Sequence, residues 1–213
     1  MLDKAHYIVV EGPIGAGKTS LARRLAERLQ SETLFEQAEH NPFLSRFYQD
    51  PERWAMATQL SFLYQRMDQL AALGPIGEER RLVSDFIIDK DKLFAAQNLS
   101  TDELALYQRI HDDIKPAQTT QPDLVVYLQA RPERLMERIR KRGLDAERHI
   151  TEAYLQQIAD RYTRYFFYQY EAAPLFIVDA GQLNPVDNDE DFEMLLARLR
   201  DMRGYREFFG YGG

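Results

Sequence analysis

The chain has 213 residues and contains no cysteine, and 45% of its residues are hydrophobic while 29% are charged. This length is enough for one large α/β domain with a well-buried core, and the absence of cysteine excludes disulfides and thiolate metal sites. The 27 basic and 34 acidic residues leave a net charge of −7, which argues against a general nucleic-acid binder.

The N-terminal residues run directly into the first predicted strand, which leaves no room for a signal peptide ahead of it. No apolar stretch is long enough to span a bilayer. We therefore expect a cytoplasmic protein that binds neither membranes nor nucleic acids.

Strands and helices alternate along the chain, which indicates an α/β fold with a parallel sheet covered by helices on both faces. Five short apolar runs are predicted to be strands, at residues 7–10, 33–36, 82–85, 124–129 and 175–179. Helical patterns follow the first strand and cover residues 52–73, 101–111 and 190–203, and further helices are predicted to begin at Arg131-Pro132 and Thr151. We expect a single domain over residues 1–203 and a loosely ordered tail, rich in glycine and aromatic residues, over 204–213.

Residues 12–19, Gly-Pro-Ile-Gly-Ala-Gly-Lys-Thr, lie between the first predicted strand and the first predicted helix. They complete the pattern G-x-x-x-x-G-K-[ST], whose backbone amides surround a polyphosphate at a helix N-terminus. Lys18 would reach the β- and γ-phosphates, and the Thr19 hydroxyl would bind Mg²⁺. The sequence therefore predicts a binding loop for a nucleoside triphosphate such as ATP, formed by Gly12, Pro13, Ile14, Gly15, Ala16, Gly17, Lys18, Thr19 and Ser20.

Two acidic residues end predicted strands, at the edge where open α/β sheets bind their ligands. Glu36 could accept the proton of an attacking hydroxyl, although a solvated loop acid would look the same in the sequence. Asp85 ends the third strand, and in phosphate-loop enzymes an aspartate at this place binds Mg²⁺ or its water. The alternative for Asp85 is a turn residue that merely ends the strand.

The segment from Arg138 to Gly143 carries four cations in its first five positions. Arg138 and Arg142 are four residues apart, so they share one face of a helix. Two guanidinium groups on one face can clamp migrating phosphoryl oxygens, and such charge neutralisation is a large part of catalysis in phosphoryl transfer. Gly143 could be the hinge of a mobile lid. The alternative is a solvated basic helix face.

Taken together, these residues resemble the deoxynucleoside kinase family, in the group of deoxycytidine, deoxyguanosine and deoxyadenosine kinases, and in particular its bacterial members. The resemblance runs from the phosphate loop to about Phe192 and so covers most of the chain. Many enzymes share the phosphate loop, whereas the remaining motifs are more specific. These motifs are Glu36 followed by Asn41-Pro42-Phe43-Leu44, the run Phe47-Tyr48-x-x-Pro51-Glu52-Arg53-Trp54, the polar residues Gln59 and Arg66, and Arg138-x-x-x-Arg142-Gly143.

The resemblance implies a P-loop kinase fold with an arginine-bearing lid, and Mg²⁺-dependent transfer of the γ-phosphoryl group of ATP to the 5′-hydroxyl of a deoxyribonucleoside. It also implies a homodimer and, by analogy with bacterial relatives, a preference for purines. The implied catalytic residues are Glu36 as the base, Lys18, Arg138 and Arg142. The implied substrate residues are Tyr48 and Glu147 at the sugar 3′-hydroxyl, Gln59 and Arg66 at the base edge, and Phe94 stacked on the base, together with Glu36 and Asp85.

The chain departs from the family pattern after the third predicted strand. Many relatives have an acid-Arg-Ser triplet there, whereas this chain has Ser84-Asp85-Phe86, so the arginine is missing. Arg80 or Arg81 could substitute for it. The aspartate that reads the base in purine-preferring members could be Asp89 or Asp91, and spacing does not decide between them.

Two other functions are compatible with the phosphate loop. A nucleoside monophosphate kinase, such as a thymidylate kinase, would need further basic residues near the second and third strands, because its acceptor brings its own phosphate. A nucleotide-dependent regulatory switch that reads guanine would need Asn-Lys-x-Asp, which this sequence lacks. Glu36 fits a hydroxyl acceptor better than it fits either alternative.

Overall fold

The structure is a computed structural model, and it describes residues 1–74, 76, 79–114 and 121–210. A six-stranded sheet forms the centre of the fold, with the strand order β2-β3-β1-β4-β5-β6 and every neighbouring pair parallel. The C-terminal ends of all strands therefore lie at one edge of the sheet. The strands are β1 (Tyr7–Glu11), β2 (Glu32–Leu34), β3 (Leu82–Ser84), β4 (Leu124–Gln129), β5 (Leu175–Asp179) and β6 (Arg206–Phe209).

Eight α-helices are formed by the residues that the structure describes. None of them combines the length and the apolar character that a membrane span requires. Short 3₁₀ segments occur at Leu2–Lys4, Ala38–His40 and Asp145–Glu147. The α-helices are α1 (Lys18–Leu29), α2 (Leu44–Gln49), α3 (Pro51–Leu73), α4 (Lys90–Asn98), α5 (Thr101–Ile114), α6 (Pro132–Arg142), α7 (Glu152–Tyr168) and α8 (Asp189–Asp201).

Helices cover both faces of the sheet, as the alternation of strands and helices predicted. On one face, Ile8 of β1 belongs to a hydrophobic cluster with Leu21 of α1 and Leu195 of α8. On the other face, Val9 of β1 belongs to a cluster with Ile158 of α7. Successive residues of β1 therefore pack against helices on opposite faces of the sheet, as expected for a strand buried on both sides. Helices α3, α4 and α5 enclose a third, smaller cluster.

The prediction of five strands was wrong, because the tail that was expected to be loosely ordered contains β6. This strand pairs in parallel with β5, and the amide of Leu175 donates to the carbonyl oxygen of Tyr205 at 2.8 Å. Phe209 packs against Phe176 with ring centroids 6.1 Å apart. The strand has only four residues and follows a glycine-containing turn, so the composition of the tail concealed it. Residues 211–213 of the tail lie outside the described residues.

Two strands end earlier than the sequence predicted. β2 ends at Leu34 and β3 ends at Ser84, so Glu36 and Asp85 lie in the loops just beyond the sheet. Loops at the C-terminal edge of a parallel sheet commonly carry binding residues, because the sheet below holds them in place. Both acids therefore remain at the edge where a ligand was expected.

Candidate active site

The phosphate loop connects β1 to α1 in a conformation that its glycines permit. Gly15 has a φ of +83°, and a Cβ atom at this position would lie 2.7 Å from the carbonyl oxygen of Leu135. Gly17 has a φ of +97° and is the residue that caps the N-terminus of α1. The loop thus ends at the positive end of a helix, which is an arrangement that binds phosphate groups.

A cavity of about 560 Å³ opens beside the phosphate loop. Its walls come from the loop itself, the segment after β2, helices α2, α3 and α4, and the segment after α6. A volume of this size is typical of a small-molecule site. The cavity brings together most of the predicted site residues, namely Ile14, Gly15, Lys18, Thr19, Glu36, Tyr48, Gln59, Arg66, Asp85, Phe94, Arg142 and Glu147.

Glu36 has a positively charged partner at each carboxylate oxygen. Its Oε1 accepts hydrogen bonds from Nε of Arg66 at 2.9 Å and from Nη2 of the same side chain, while its Oε2 accepts one from Nζ of Lys90 at 3.0 Å. Its backbone amide donates to Oδ1 of Asp85 at 2.7 Å. Burial acts to raise the pKa of Glu36, but the charges of Arg66, Lys90 and Lys18 outweigh it and hold the pKa well below its usual value. Glu36 is therefore ionised at neutral pH.

Arg66 lies between two carboxylates. Its Nη1 binds Oδ1 of Asp91, while Nε and Nη2 bind Glu36. Burial raises the pKa of Asp91 to about 6, because the positive charges of Arg66 and Lys90 offset the desolvation and the nearby charge of Glu36 only in part. Of the two candidate aspartates, Asp91 is the one joined to the cavity through Arg66, whereas Asp89 lines a separate, smaller pocket.

Thr19 and Asp85 are in contact at the start of α1, where Oγ1 of Thr19 donates to Oδ2 of Asp85. Hydroxyl and carboxylate oxygens suit Mg²⁺, which usually takes one or two protein ligands and completes its shell with water and substrate phosphates. Nowhere in the described ranges does a group of three or more His, Cys, Asp or Glu form a metal site by itself. The two residues therefore fit a Mg²⁺ ion that binds together with a polyphosphate.

Lys18 lies against the phosphate loop, and its Nζ donates to the carbonyl oxygen of Pro13 at 3.2 Å. Burial and the nearby ammonium of Lys90 lower the pKa of Lys18 to about 8, although Glu11 and Glu36 act in the opposite direction. A phosphate group beside Lys18 would add negative charge and so favour its protonated form.

The two predicted lid arginines lie in different places. Arg142 lines the cavity, and its Nε donates to Oε2 of Glu147 at 3.2 Å. Arg138 is outside the cavity lining, because its Nη1 donates to the carbonyl oxygen of Ala16 at 3.2 Å and its Nη2 to that of Ala180 at 2.7 Å. Arg138 thus bridges the phosphate loop and the end of β5, whereas Arg142 lies at the cavity beside Glu147.

Lys90 and Glu11 are buried charged residues at the site that were missed from the sequence. Lys90, the first residue of α4, has Nζ 3.8 Å from Oε1 of Glu11, and both side chains are buried. Glu11 ends β1, and its two oxygens accept hydrogen bonds from the amides of Gly12 at 2.8 Å and Ile87 at 3.2 Å. One signal could have identified Lys90, since it lies one helical turn before Phe94, a residue that the resemblance did assign to the site.

Arg80 and Arg81 lie at the opposite end of β3 from the site, so neither fills the place of the missing arginine. Nη2 of Arg80 is 2.7 Å from Oε2 of Glu32, and Nε of Arg81 donates to the carbonyl oxygen of Ala5 at 3.0 Å. Both residues precede β3, whereas the cavity lies beyond its C-terminal end.

Known proteins resemble this chain over nearly its whole length. The family model described as deoxynucleoside kinase matches residues 8–202. A deoxyguanosine kinase from Bacillus subtilis is 31% identical over 210 residues, which cover 94% of this chain and 99% of the relative. A deoxyadenosine kinase from Lactobacillus acidophilus is 30% identical and covers 85% of this chain and 88% of the relative. The solved structure of deoxyadenosine kinase from M. mycoides with bound dATP has a similar fold, with a TM-score of 0.78 at 22% identity over 92% of this chain and 99% of that one.

The parallel sheet, the phosphate loop and the adjoining cavity define a P-loop nucleotide-binding fold with a site for a small molecule. The chain belongs to the deoxynucleoside kinase family. Membership confirms the predicted fold class and the predicted enzyme class, with the sheet corrected to six strands. It also favours the nucleoside acceptor over the two alternatives, a thymidylate kinase-like enzyme and a regulatory switch.

Proposed function

We propose that this chain transfers the γ-phosphoryl group of ATP to the 5′-hydroxyl of a purine deoxyribonucleoside, and that Glu36 receives the hydroxyl proton. The observation that carries this proposal is the position of the Glu36 carboxylate. It lines the same cavity as Lys18 of the phosphate loop and as Gln59 and Phe94, which the resemblance assigns to the nucleobase. A nucleoside held by those residues would present a hydroxyl to Glu36 beside the donor phosphates.

Glu36 acts first by orienting the acceptor. Its neighbours hold its pKa low, so the carboxylate is charged but is a weak base. It therefore accepts a hydrogen bond from the 5′-hydroxyl and turns the oxygen toward the donor. The hydroxyl becomes more acidic as its bond to phosphorus forms, and its proton then moves to the carboxylate. This order agrees with a loose transition state, in which there is little covalent chemistry for the protein to do.

Lys18, Arg138 and Arg142 are the cations assigned to neutralise the negative charge of the transferred phosphoryl group. Phosphoryl transfer is catalysed mainly by positioning and by charge placed where it develops in the transition state. Arg142 is paired with Glu147 and Arg138 with backbone carbonyl oxygens, so both would exchange protein acceptors for phosphate oxygens. Mg²⁺, held by Thr19 and Asp85, would neutralise charge on the β- and γ-phosphates.

The nucleoside is assigned to the remaining lining of the cavity. Gln59 and Arg66 are each 3% exposed, and a base that fails to pair with such buried polar groups is disfavoured. Asp91 holds Arg66 from behind and so fixes the direction of its guanidinium. The purine preference is supported by relatives that are themselves named deoxyguanosine kinase and deoxyadenosine kinase. Tyr48 and Glu147 remain the residues assigned to the 3′-hydroxyl.

A homodimer, implied by the family resemblance, and a cytoplasmic location, expected from the sequence, both stay predictions. Light scattering on the purified protein measures the first directly. Fractionation of the source cells measures the second.

Incubation with labelled ATP, Mg²⁺ and a panel of nucleosides and nucleoside monophosphates tests the function. We expect labelled deoxyadenosine and deoxyguanosine monophosphates, formed with higher kcat/KM than the pyrimidine products. Label in a nucleoside diphosphate would instead indicate a monophosphate kinase. Nucleotide binding without any labelled product would indicate a switch.

Glu36→Gln tests the assignment of the base. The amide keeps the shape of the side chain but cannot take up the proton, so kcat should fall by about 10²- to 10⁴-fold while nucleoside binding survives. Glu39→Gln is the matched control, because Glu39 also lines the cavity but is exposed. A Glu36→Gln protein with nearly full activity would show that another group takes the proton.

A further inference from the structure

Lys90 is a buried lysine that contacts the predicted base. Its side chain is 3% exposed, and its Nζ lies 3.0 Å from Oε2 of Glu36 and 3.8 Å from Oε1 of Glu11. The same ammonium lies 6.0 Å from the centroid of the Phe94 ring. Lysine is almost never buried to this extent without ionic partners, because desolvation of the ammonium is costly. The burial of Lys90 is therefore explained by its contacts with the carboxylates of Glu36 and Glu11.

Lys90 and Arg66 hold the two oxygens of Glu36 separately. Arg66 comes from α3 and binds Oε1, whereas Lys90 comes from α4 and binds Oε2. The backbone amide of Glu36 is fixed in addition by Asp85. A carboxylate held at both oxygens from two helices cannot rotate freely about its terminal torsion. Its plane, and with it the direction of its lone pairs toward an acceptor, is set by the protein.

Phe86, which follows Asp85, carries no charge and so cannot supply the second cation that binds Glu36. Phe86 is fully buried, and Arg80 and Arg81 lie beyond the other end of β3. Lys90 reaches the same carboxylate from the first turn of α4, five residues after Asp85. Among the described residues, Arg66 and Lys90 are the cations that form hydrogen bonds to Glu36.

We propose that Lys90 is a positioning residue for Glu36 and supplies, from α4, the cation that this chain lacks after Asp85. The proposal rests on the proposed function, since it assigns Lys90 to the carboxylate that receives the 5′-hydroxyl proton. Lys90 also lines the cavity, and its assigned action on the acceptor passes through Glu36. Its ionic contact with Glu11 anchors it to the end of β1. If Lys90 only neutralised Glu11, its substitution would lower kcat by the same factor with and without Glu36.

The test compares Lys90→Gln in the wild-type protein and in the Glu36→Gln protein. In the wild-type background we expect kcat to fall by about 10- to 100-fold, the range found when an outer-shell partner is removed, with KM for nucleoside and ATP nearly unchanged. In the Glu36→Gln background the same substitution should leave kcat within about twofold, because residues that act as a unit are not additive. Equal losses in both backgrounds, or no loss in the first, would overturn the proposal.

A conservative variant and a control variant distinguish the loss of Glu36 positioning from a loss of folded protein. Lys90→Arg keeps the charge and should recover most of the activity that Lys90→Gln loses; recovery no better than that of Lys90→Gln would contradict the proposal. Lys92→Gln is the matched control, since Lys92 lies two residues further along α4 and is exposed, and it should leave kcat unchanged. Urea unfolding of each variant reports the folded fraction.

Two further measurements allow the Lys90 proposal to be tested even if Lys90→Gln does not fold, and separately from the proposed function. Should Lys90→Gln fail to fold, Lys90→Arg is compared in the same two backgrounds, and its smaller loss of kcat should vanish when Glu36 is absent. Wild-type turnover and the Glu36→Gln loss are measured in the same assay. They test the proposed function by themselves, so failure of the Lys90 proposal leaves them standing.

Discussion

The acceptor cluster and the lid segment both pair acidic with basic side chains, but they differ in how deeply these side chains are buried. The acceptor cluster consists of Glu11, Glu36, Arg66, Lys90 and Asp91, and none of these side chains is more than 16% exposed. The lid segment, residues 138–147, is more open, and its Arg142 is 47% exposed. The charges of the acceptor cluster are shielded from water, whereas in the lid segment Arg142 is in contact with water and its partner Glu147 is 11% exposed.

This difference in burial determines what each region can do. A buried charge whose partner is removed is destabilising, because the remaining group is desolvated without compensation. An exposed pair contributes little to stability, so its members can change partners at small cost. We therefore expect variants of the acceptor cluster to alter folding and catalysis together, and variants of the lid segment to alter catalysis alone.

Arg66→Met is expected to have the largest effect. It removes the cation between Glu36 and Asp91 and leaves Asp91 fully buried without its ionic partner. The free energy of unfolding should fall by about 3–5 kcal/mol, as for other broken buried pairs. Urea denaturation measures this loss, and the nucleoside kinase assay should show an accompanying loss of kcat/KM.

Asp91→Asn in the Arg66→Met background checks the cause. It removes the orphaned charge, so part of the lost stability should return. Arg23→Met is the control, because Arg23 lines the same cavity but is exposed. If both arginine variants unfold at the same urea concentration, burial is not what distinguishes the acceptor cluster.

The parts of the site that could be predicted are those that local sequence determines. The phosphate loop is one such part, because glycines at fixed spacing permit its backbone conformation, as the φ of +83° at Gly15 shows. Glu36 and Asp85 are another, because the ends of parallel strands meet at one edge of the sheet. Their positions followed from the parallel direction of the strands and did not require side-chain detail.

The parts that could not be predicted depend on packing between distant segments. Lys90 meets Glu11 only because β3 pairs with β1 and leads the chain into α4 beside it. The choice between Asp89 and Asp91 depends on which face of the chain α4 turns toward Arg66. β6 was missed for the same reason, since four residues become a strand only when β5 offers an edge for pairing.

Arg142→Ala is the corresponding test in the lid segment. Arg142 is assigned to the transferred phosphoryl group, so loss of this cation should lower kcat by about 10²- to 10³-fold. The free energy of unfolding should change by less than about 1 kcal/mol, because the pair with Glu147 is part-exposed. A large loss of stability, measured by urea denaturation, would show that the lid segment is built like the acceptor cluster.

Glu147→Gln separates the two members of that lid pair. Glu147 is assigned to the sugar 3′-hydroxyl, so we expect KM for the nucleoside to rise by about 10-fold, the lower end of the effect of one charged hydrogen bond. kcat should stay close to that of the wild type, in contrast to Arg142→Ala. Steady-state kinetics with deoxyadenosine measures both constants, and 3′-deoxyadenosine analogues should show a smaller effect. A fall in kcat as large as that of Arg142→Ala would mean that the two residues act as one unit.

Arg28→Ala should have the smallest effect and sets the scale for charge pairing outside the site. Arg28 binds Glu193 through two hydrogen bonds of 2.7 and 2.8 Å, and both side chains are about half exposed. Good geometry without burial should be worth about 0.2–1 kcal/mol in the free energy of unfolding, measured by a double-mutant cycle with Glu193→Ala. kcat should not change. A coupling as large as that of Arg66 with Asp91 would show that hydrogen-bond geometry, and not burial, gives the acceptor cluster its stability.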